Sequence, residues 1–500
     1  MRNSRLPALC FAASLLLSAC AIPRPPEQVA APTPAQWTTA LPGGSAALPH
    51  GGSLPQLAEW WRQLDDPLLV ELIEAAEAVS PSVASAAARI AEARAARTAA
   101  GAALAPNLNG TASATRGNSP SSGAPSTGLS AGTSAAFPPF TTLQAGLQSS
   151  WEIDLFGGLR ASRDARQAQL EGADARWHDA RISVAAETAN TYLGERACRR
   201  QLAVAVSDAR SRAETADLTD LSARAGFAPP AEAALARASA SEASARLTQL
   251  RAQCGVLQQA LVALTGIDDK TLAPRLEAAS IDTALPAVQA VYSVPAEALA
   301  QRPDVFAAEL GVAAASAEAG AAQAQRFPRL TLQGSVGVLE LRGGGFRQSF
   351  DTWSIGPMAL NVPIFDGGTL AANAEAAKSR YDEAVALYRA RVRQAVREVE
   401  EALINLQSTD ARTADTEVAV QNYQRSFDAT SARYRTGLAT LFELEDSRRT
   451  LFAAQTSRVL LQRERAEAWV SLYRSMGGGW SRPASATTTS SLATPPSTSP

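Results

Sequence analysis

The sequence predicts a mostly α-helical chain that carries a few membrane-type β-strands and is built as an internal duplication. Three observations carry this reading. Two stretches of about 68 residues are rich in Ala, Arg, Glu and Gln and nearly free of Pro and Gly, as long helices require. Short segments alternate apolar and polar residues with a period of two. The same succession of motifs occurs twice along the 500 residues.

Composition narrows the classes of function. Lys and Arg (46) nearly cancel Asp and Glu (48), leaving a net charge of -2 with 6% aromatics. That balance gives no electrostatic footprint for nucleic acid and suits long solvated helices with mixed charged faces.

Residues 1–19 read as a lipoprotein signal peptide. Arg2 and Arg5 precede an apolar run over residues 6–17, too short to span a bilayer. Leu17-Ser18-Ala19-Cys20 resembles a bacterial lipobox, which implies acylation of Cys20 and lipid anchoring; Ala21, where an Asp would retain the protein, implies the outer membrane. An ordinary signal peptide that contains a Cys is the competing reading. Residues 20–56, Pro-rich to Pro55, predict an extended lipid-anchored tether. At the other end, residues 477–500 predict a disordered Ser/Thr/Pro tail.

Between these ends lie two repeats, 57–270 and 303–476, joined by an equatorial connector over 271–302. Pro81, Pro106 and Leu108 recur as Pro303, Pro328 and Leu330; Phe156 and Gly158 recur as Phe365 and Gly367; "RAGFA" at 224–228 recurs as "RTGLA" at 435–439. The first copy holds a longer Ser/Gly/Pro loop between its strands. Each repeat reads helix, strand, loop, strand, long helix, turn, returning helix.

Strands are expected near 107–116 and 141–155, and again near 328–341 and 352–364. Leu143, Ala145, Leu147, Trp151, Ile153 and Leu155 alternate with Gln144, Gln148, Ser150, Glu152 and Asp154, and Met358, Leu360, Val362 and Ile364 repeat the pattern. One apolar and one polar face suit the wall of an outer-membrane barrel. A soluble hairpin packed on a core shows the same alternation. Four strands cannot close a barrel, and an open edge in lipid leaves backbone groups unsatisfied, so several chains must share one barrel if these strands span the membrane.

Long helices are expected over 158–225 and 368–436, each roughly 100 Å at 1.5 Å per residue. Returning helices at 230–265 and 440–475, added to the shorter helices that precede the strands, match that length. The matching lengths fit a tall helical cylinder, and Val392, Val396, Val399, Leu403 and Leu406 step by coiled-coil spacing, a narrow seam that suits a helix with water on its remaining faces; a rod-like coiled coil without a lumen is the plainer alternative. Phe156-Gly157-Gly158 and Phe365-Asp366-Gly367-Gly368 mark the barrel–tunnel junctions, where glycine lets the chain swing from strand to helix. Gly226 and Gly437 supply the positive φ of helix C-terminal turns.

Together the lipobox, the doubled junction, the paired turns and the strand–helix order resemble the TolC-like outer-membrane factors, over roughly residues 57–476, and most closely the lipoprotein branch that serves resistance-nodulation-division type efflux pumps. The resemblance implies a homotrimer whose twelve-stranded barrel, four strands per chain, continues as a twelve-helix periplasmic tunnel. It implies passive export of small molecules, driven by an inner-membrane efflux transporter through a periplasmic adaptor protein. It places Tyr434, Glu443 and Asp446 at a closed periplasmic aperture, and Ala439 where the family archetype carries an Arg, so another contact must close this pore. It also sets Arg224, Gly226, Phe227, Arg435, Gly437 and Leu438 against the adaptor. For each acid, a solvated helix face is the plainer alternative.

Cys198 and Cys254 lie symmetrically about Gly226, so antiparallel helices bring them to one height, and an oxidising periplasm predicts a disulfide. Neither His50 nor His178 has a nucleophile or second ligand near it in sequence, and 343–345 lacks the Lys-Ser/Thr of a phosphate loop. No enzyme activity, cofactor or metal is expected. An export duct and a trimeric lipoprotein with a structural or adhesive role are the two functions left.

Overall fold

The computed structural model describes residues 22–34, 37–39, 61–62, 66–117, 139–279, 299, 301–343, 345–480 and 482–483. The signal peptide with Cys20, His50, the 118–138 loop, most of the connector and the end of the tail lie outside the described residues. The elements run α1 (Pro67–Val79), α2 (Pro81–Ala102), β1 (Asn107–Gly117), β2 (Phe140–Ile153), α3 (Gly158–Arg224), α4 (Pro230–Thr265), α5 (Asp269–Ala278), α6 (Pro303–Ala324), β3 (Arg329–Gly343), β4 (Phe346–Asn361), α7 (Thr369–Arg435) and α8 (Leu441–Ser475). Both long helices have 67 residues.

Two compact units share these elements. The first comprises residues 1–30, 89–173 and 308–388. Its centre is one antiparallel sheet in the order β1-β2-β3-β4, so the two repeats meet through β2 and β3. Pairing puts directly opposed residues on one face: Leu147 with Val336 and Trp353, Ala145 with Val338, Ile153 with Leu330 and Leu360. On the opposite face lie Thr111, Ser113, Gln144, Gln148, Ser335 and Ser354. The apolar series from Leu330 to Val338 measures roughly 27 Å at about 3.4 Å per residue, close to the ~25 Å apolar band of outer-membrane barrels. Glu340, Arg342 and Arg347 close that face at its far end with ion pairs. On that face Trp353 is 75% and Ile355 86% exposed among the described residues.

Where β2 meets β3, Gly146 pairs with Gly337, and a Cβ on either would stand 2.5–2.6 Å from the partner backbone. That close approach requires glycine at both positions. Strand β4 ends at Asn361, earlier than the expected 364, so Val362 and Ile364 belong to the loop before α7; Leu155 likewise lies beyond β2. Alternation alone cannot show where ladder hydrogen bonds stop. Helix α6 is long and apolar enough to cross a bilayer by composition, yet within this unit its Val312 and Ala315 pack with Tyr381 of α7. Where it is described, the segment expected as a tether contacts the helices: Arg24 pairs with Asp164, Pro25 accepts from Ser316 and Pro26 from Tyr381.

The second unit comprises residues 31–88, 174–307 and 389–500. Its core gathers Trp61, Leu69 and Leu72 with Ile182, Ala189 and Tyr192 of α3, Leu261 of α4, Leu272 of α5, Val399 and Leu406 of α7, and Trp469 and Tyr473 of α8. Asp66 caps α1 and also accepts from Tyr192 (2.8 Å) and Arg196 (2.6 Å), so burying its charge is matched by three donors. The seam of α7 follows Val392, Ala395, Val399, Ala402, Leu406 and Thr409, all buried, while Val396 sits to its side. Alanines at alternate seam positions permit close helix packing, and their small apolar signal hid this register in the sequence.

The expected disordered tail does not begin at 477. Gly477, Gly478 and Gly479 all adopt positive φ and turn Trp480 into the core, where it is 4% exposed. A Cβ on Gly478 would stand 2.6 Å from Ile182. Three glycines therefore act as a tight turn rather than as a linker.

Candidate functional site

The site residues expected from the sequence fall in two regions: the strand–helix junctions of the first unit and the helical turns of the second. At the first junction Asp154 accepts from the backbone N–H of Leu159 (3.1 Å) and Arg160 (2.9 Å), capping α3. At the second, Asp366 accepts from Gly368 (2.9 Å) and Leu370 (2.7 Å), capping α7. Those backbone donors, Leu370 foremost and then Gly368, hold the Asp366 carboxyl below the ordinary Asp range. The two caps come from positions that the repeat does not equate, so the duplication does not reveal them. Gly157 has φ +75°, whereas Gly158 is needed for space, since its Cβ would approach that of Ala324 to 2.9 Å. Gly367 (φ +65°) and Gly368 (φ +89°) both take positive φ in open surroundings. Phe156 stacks on Phe327 at 5.0 Å, while Phe365 is 91% exposed.

The turns after α3 and α7 are built alike. Phe227 donates to Ser222 O (2.9 Å) and Gly226 to Ala223 O (3.1 Å); Leu438 donates to Arg433 O (2.8 Å) and Gly437 to Tyr434 O (3.0 Å). Both are Schellman turns, with Gly226 (φ +82°) and Gly437 (φ +74°) at the left-handed position. Such turns commonly fold the next apolar residue back onto the helix. Here Phe227 and Leu438 stay 87% and 70% exposed. Arg224 pairs with Asp220, and Arg433 donates to Leu438 O, so charged side chains flank both tips. Arg435, the last residue of α7, lies beside them.

Tyr434 packs against the cluster of Ala216, Ala236, Leu441 and Leu444, and its hydroxyl lies 3.2 Å from Thr219 Oγ1. Glu443 accepts from the Thr440 backbone N–H (2.7 Å) and Thr440 caps it in return, a capping box that starts α8. Asp446 pairs with Arg449 one helical turn on. The acid that ties helices together is Glu445. It accepts from Arg212 of α3 (2.6 Å) and Ser239 of α4 (2.6 Å) and pairs with Arg448, which reaches Thr215 (3.0 Å) and lies over the Phe427 ring. Arg212 also pairs with Asp208. Burial pulls Arg448 below the ordinary guanidinium value, Glu445 opposing, but an Arg stays charged there. In the sequence, Glu445/Arg448 and Asp208/Arg212 resemble ordinary surface pairs, so nothing marked them as buried.

Cys198 and Cys254 are joined by a disulfide, with Cα atoms 5.6 Å apart, linking α3 to α4. His178 lies against the rings of Trp177 and Trp480, and burial lowers its pKa. Among the described residues no three His, Cys, Asp or Glu converge as a metal site.

The chain is similar to known proteins over nearly its whole length. It is 32% identical over 475 residues to the pyoverdine export outer membrane protein OpmQ of Pseudomonas putida, covering 93% of this chain and 96% of that one. It is 31% identical over 473 residues to the solvent efflux pump outer membrane protein SrpC of Pseudomonas putida, covering 94% and 97%. In fold it matches the crystal structure of the Campylobacter jejuni CmeC outer membrane channel, with a TM-score of 0.78 at 23% identity, covering 89% and 91%. The outer membrane efflux protein family model matches residues 72–267 and 294–478, both repeats, and the chain belongs to that family.

Proposed function

We propose that three copies of this chain close one twelve-stranded barrel in the outer membrane and form a passive duct for small molecules. The observation that carries this reading is the four-stranded sheet, apolar on one face and predominantly polar on the other, with β1 and β4 as its edges among the described residues. In lipid both edges need partners, and identical neighbours supply them, β4 of one chain beside β1 of the next. Cys20 is acylated and anchors each chain, at ~0.8 kcal/mol per buried methylene.

The exposed Phe227 and Leu438, held out by Schellman turns, are apolar tips for the hairpins of a periplasmic adaptor, which joins the duct to an inner-membrane transporter. Selectivity belongs to that transporter, because a water-filled duct need not bind its cargo. The curated relatives carry pyoverdine and solvent in their names, two unlike cargoes for one fold. At the aperture, Tyr434 with Thr219 and the Glu445 network hold the helices together in place of an Arg at position 439.

Purified full-length protein reconstituted in a planar bilayer tests the reading. Expected are a trimeric assembly and discrete conductance steps that grow when Glu445 is replaced. A stable trimer with no conductance, in the wild type and in Glu445→Ala alike, would favour a scaffold or adhesive role.

A further inference from the structure

A cavity of about 240 Å³ lies at the start of α3, walled by the N-terminal segment around Arg24, by the junction residues Leu155 and Phe156, and by the first turns of α3. Its charged lining is three arginines, Arg24, Arg160 and Arg163, against one carboxylate, Asp164. Arg24 donates to Asp164 at 3.3 Å and pairs with Glu27 at 3.6 Å, Arg163 donates to Asp164 at 2.8 and 3.2 Å, and Arg160 to the side chain and backbone of Asp154 at 3.1 and 2.9 Å. Each guanidinium thus commits one or two of its five N–H donors to these partners among the described residues. The side chains remain 28%, 56% and 43% exposed for Arg24, Arg160 and Arg163.

The position of Arg24 depends on a missing side chain. A Cβ on Gly320, four residues before the end of α6, would stand 2.8 Å from Arg24 Cγ and 3.2 Å from its Nε. Glycine costs about 1 kcal/mol in a helix interior, and here it opens the groove in which the arginine stem lies.

Depth in the membrane supplies the ligand chemistry. The apolar face of the sheet ends at Ile153, Leu330 and Leu360, and the cavity begins two residues farther along the chain, at Leu155. That level is the edge of the apolar band, where acyl chains give way to headgroups. Arginine binds phosphate oxygens through paired N–H donors and is weakly hydrated, and at the headgroup level the anion within reach is a phosphodiester.

We propose that this cavity binds the phosphate of a membrane phospholipid, with Arg24, Arg160 and Arg163 as donors and Leu155 and Phe156 against the first methylenes. The inference rests on the membrane placement of β1–β4 and not on conduction. Arg24 is four residues from Cys20, at most about 14 Å of extended chain, so the acylated terminus and the bound lipid share one leaflet.

Native mass spectrometry of the full-length protein in detergent tests this, with phosphatidylglycerol, with diacylglycerol, which lacks the phosphate, and with inorganic phosphate as competitor. Expected is retained phosphatidylglycerol, at least tenfold depleted in Arg160→Gln/Arg163→Gln and reduced in Arg24→Gln, which changes no residue of α3. Gly320→Leu, which changes no charge but displaces Arg24, should also release lipid. Arg166→Gln, whose arginine is not part of the cavity wall, should behave as wild type. Equal retention in the double variant and the Arg166 control, or equal retention of diacylglycerol, would overturn the proposal. Binding of inorganic phosphate without retained lipid would assign a free-anion site and overturn the lipid source. Conductance recorded on the same samples separates this inference from the export reading, since either can fail alone.

Discussion

Arg212 of α3 donates to Glu445 of α8 at 2.6 Å, and Ser239 of α4 donates to the same carboxylate oxygen. One carboxylate thereby holds three helices below the turns, with Arg448 as a second buried cation beside it. Removing one partner of a buried charge cluster strands the others, at a cost of about 3–5 kcal/mol. Glu445→Ala should therefore destabilise the protein by several times more than Asp446→Ala, whose carboxylate is half exposed. Denaturant titration followed by helical circular dichroism measures the difference, and equal shifts would remove the network from the account.

The charges around Asp304 give a pH test. Burial alone would raise Asp304, but the hydrogen bond and charge of Arg302, with Arg391, hold it below the ordinary range. Asp179 goes the other way, raised by burial first and by Asp304 second, with Arg391, Arg474 and Arg302 opposing. A depressed Asp contributes stability above its unfolded pKa of about 3.9 that is lost as pH falls through the folded value. A raised Asp is favourable when protonated and becomes a cost as pH rises through its folded value. Asp179→Asn should thus stabilise at pH 7 with the gain vanishing below about pH 4, while Asp304→Asn destabilises at pH 7 and is neutral in acid. Melting curves across pH 3–8 check both signs.

Cys198 and Cys254 are 56 residues apart in sequence, a loop whose closure in the unfolded chain is worth about 4 kcal/mol by chain entropy. Reduction, or Cys198→Ser, should lower stability by roughly 2–4 kcal/mol and lower hydrogen-exchange protection first in α4. Unchanged melting with and without reductant would show that the helix pair closes that loop unaided.

The junction glycines should respond by mechanism. Gly157→Val places a branched residue at φ +75°, a strain of roughly 1–3 kcal/mol, and should reduce the yield of assembled protein. Gly158→Ala should also impair it, through the contact with Ala324. Gly367→Asn, in open surroundings at a φ that Asn tolerates, should cost least. Size-exclusion yields of the three variants rank them; Gly367→Asn as the worst would contradict the reading.

Much of the fold was legible because its signals are periodic or doubled. Long Pro-free runs, the β2 alternation and "RAGFA" against "RTGLA" each state something local that the structure repeats. Other features depend on partners distant in sequence. The α7 seam runs through Ala395 and Ala402, too small to stand out among the surrounding alanines. Glu445 looked no different from Glu443 or Asp446, yet only Glu445 meets Arg212 and Ser239. Glu443 is also a helix cap, which the Thr440-x-x-Glu443 spacing could have shown. Trp480 follows three glycines that resemble a terminator, and only Ile182 and Gln301 beside them reveal a turn.

The seam between β2 and β3 joins the two repeats by an unbroken antiparallel ladder, from Phe140 opposite Gly343 to Ile153 opposite Leu330. The open edges of β1 and β4 call for the same kind of ladder between chains. Each chain therefore holds a finished copy of the join it must make with its neighbours, and a half-length ancestor would have needed only that one join, used over and over, to enclose the same space.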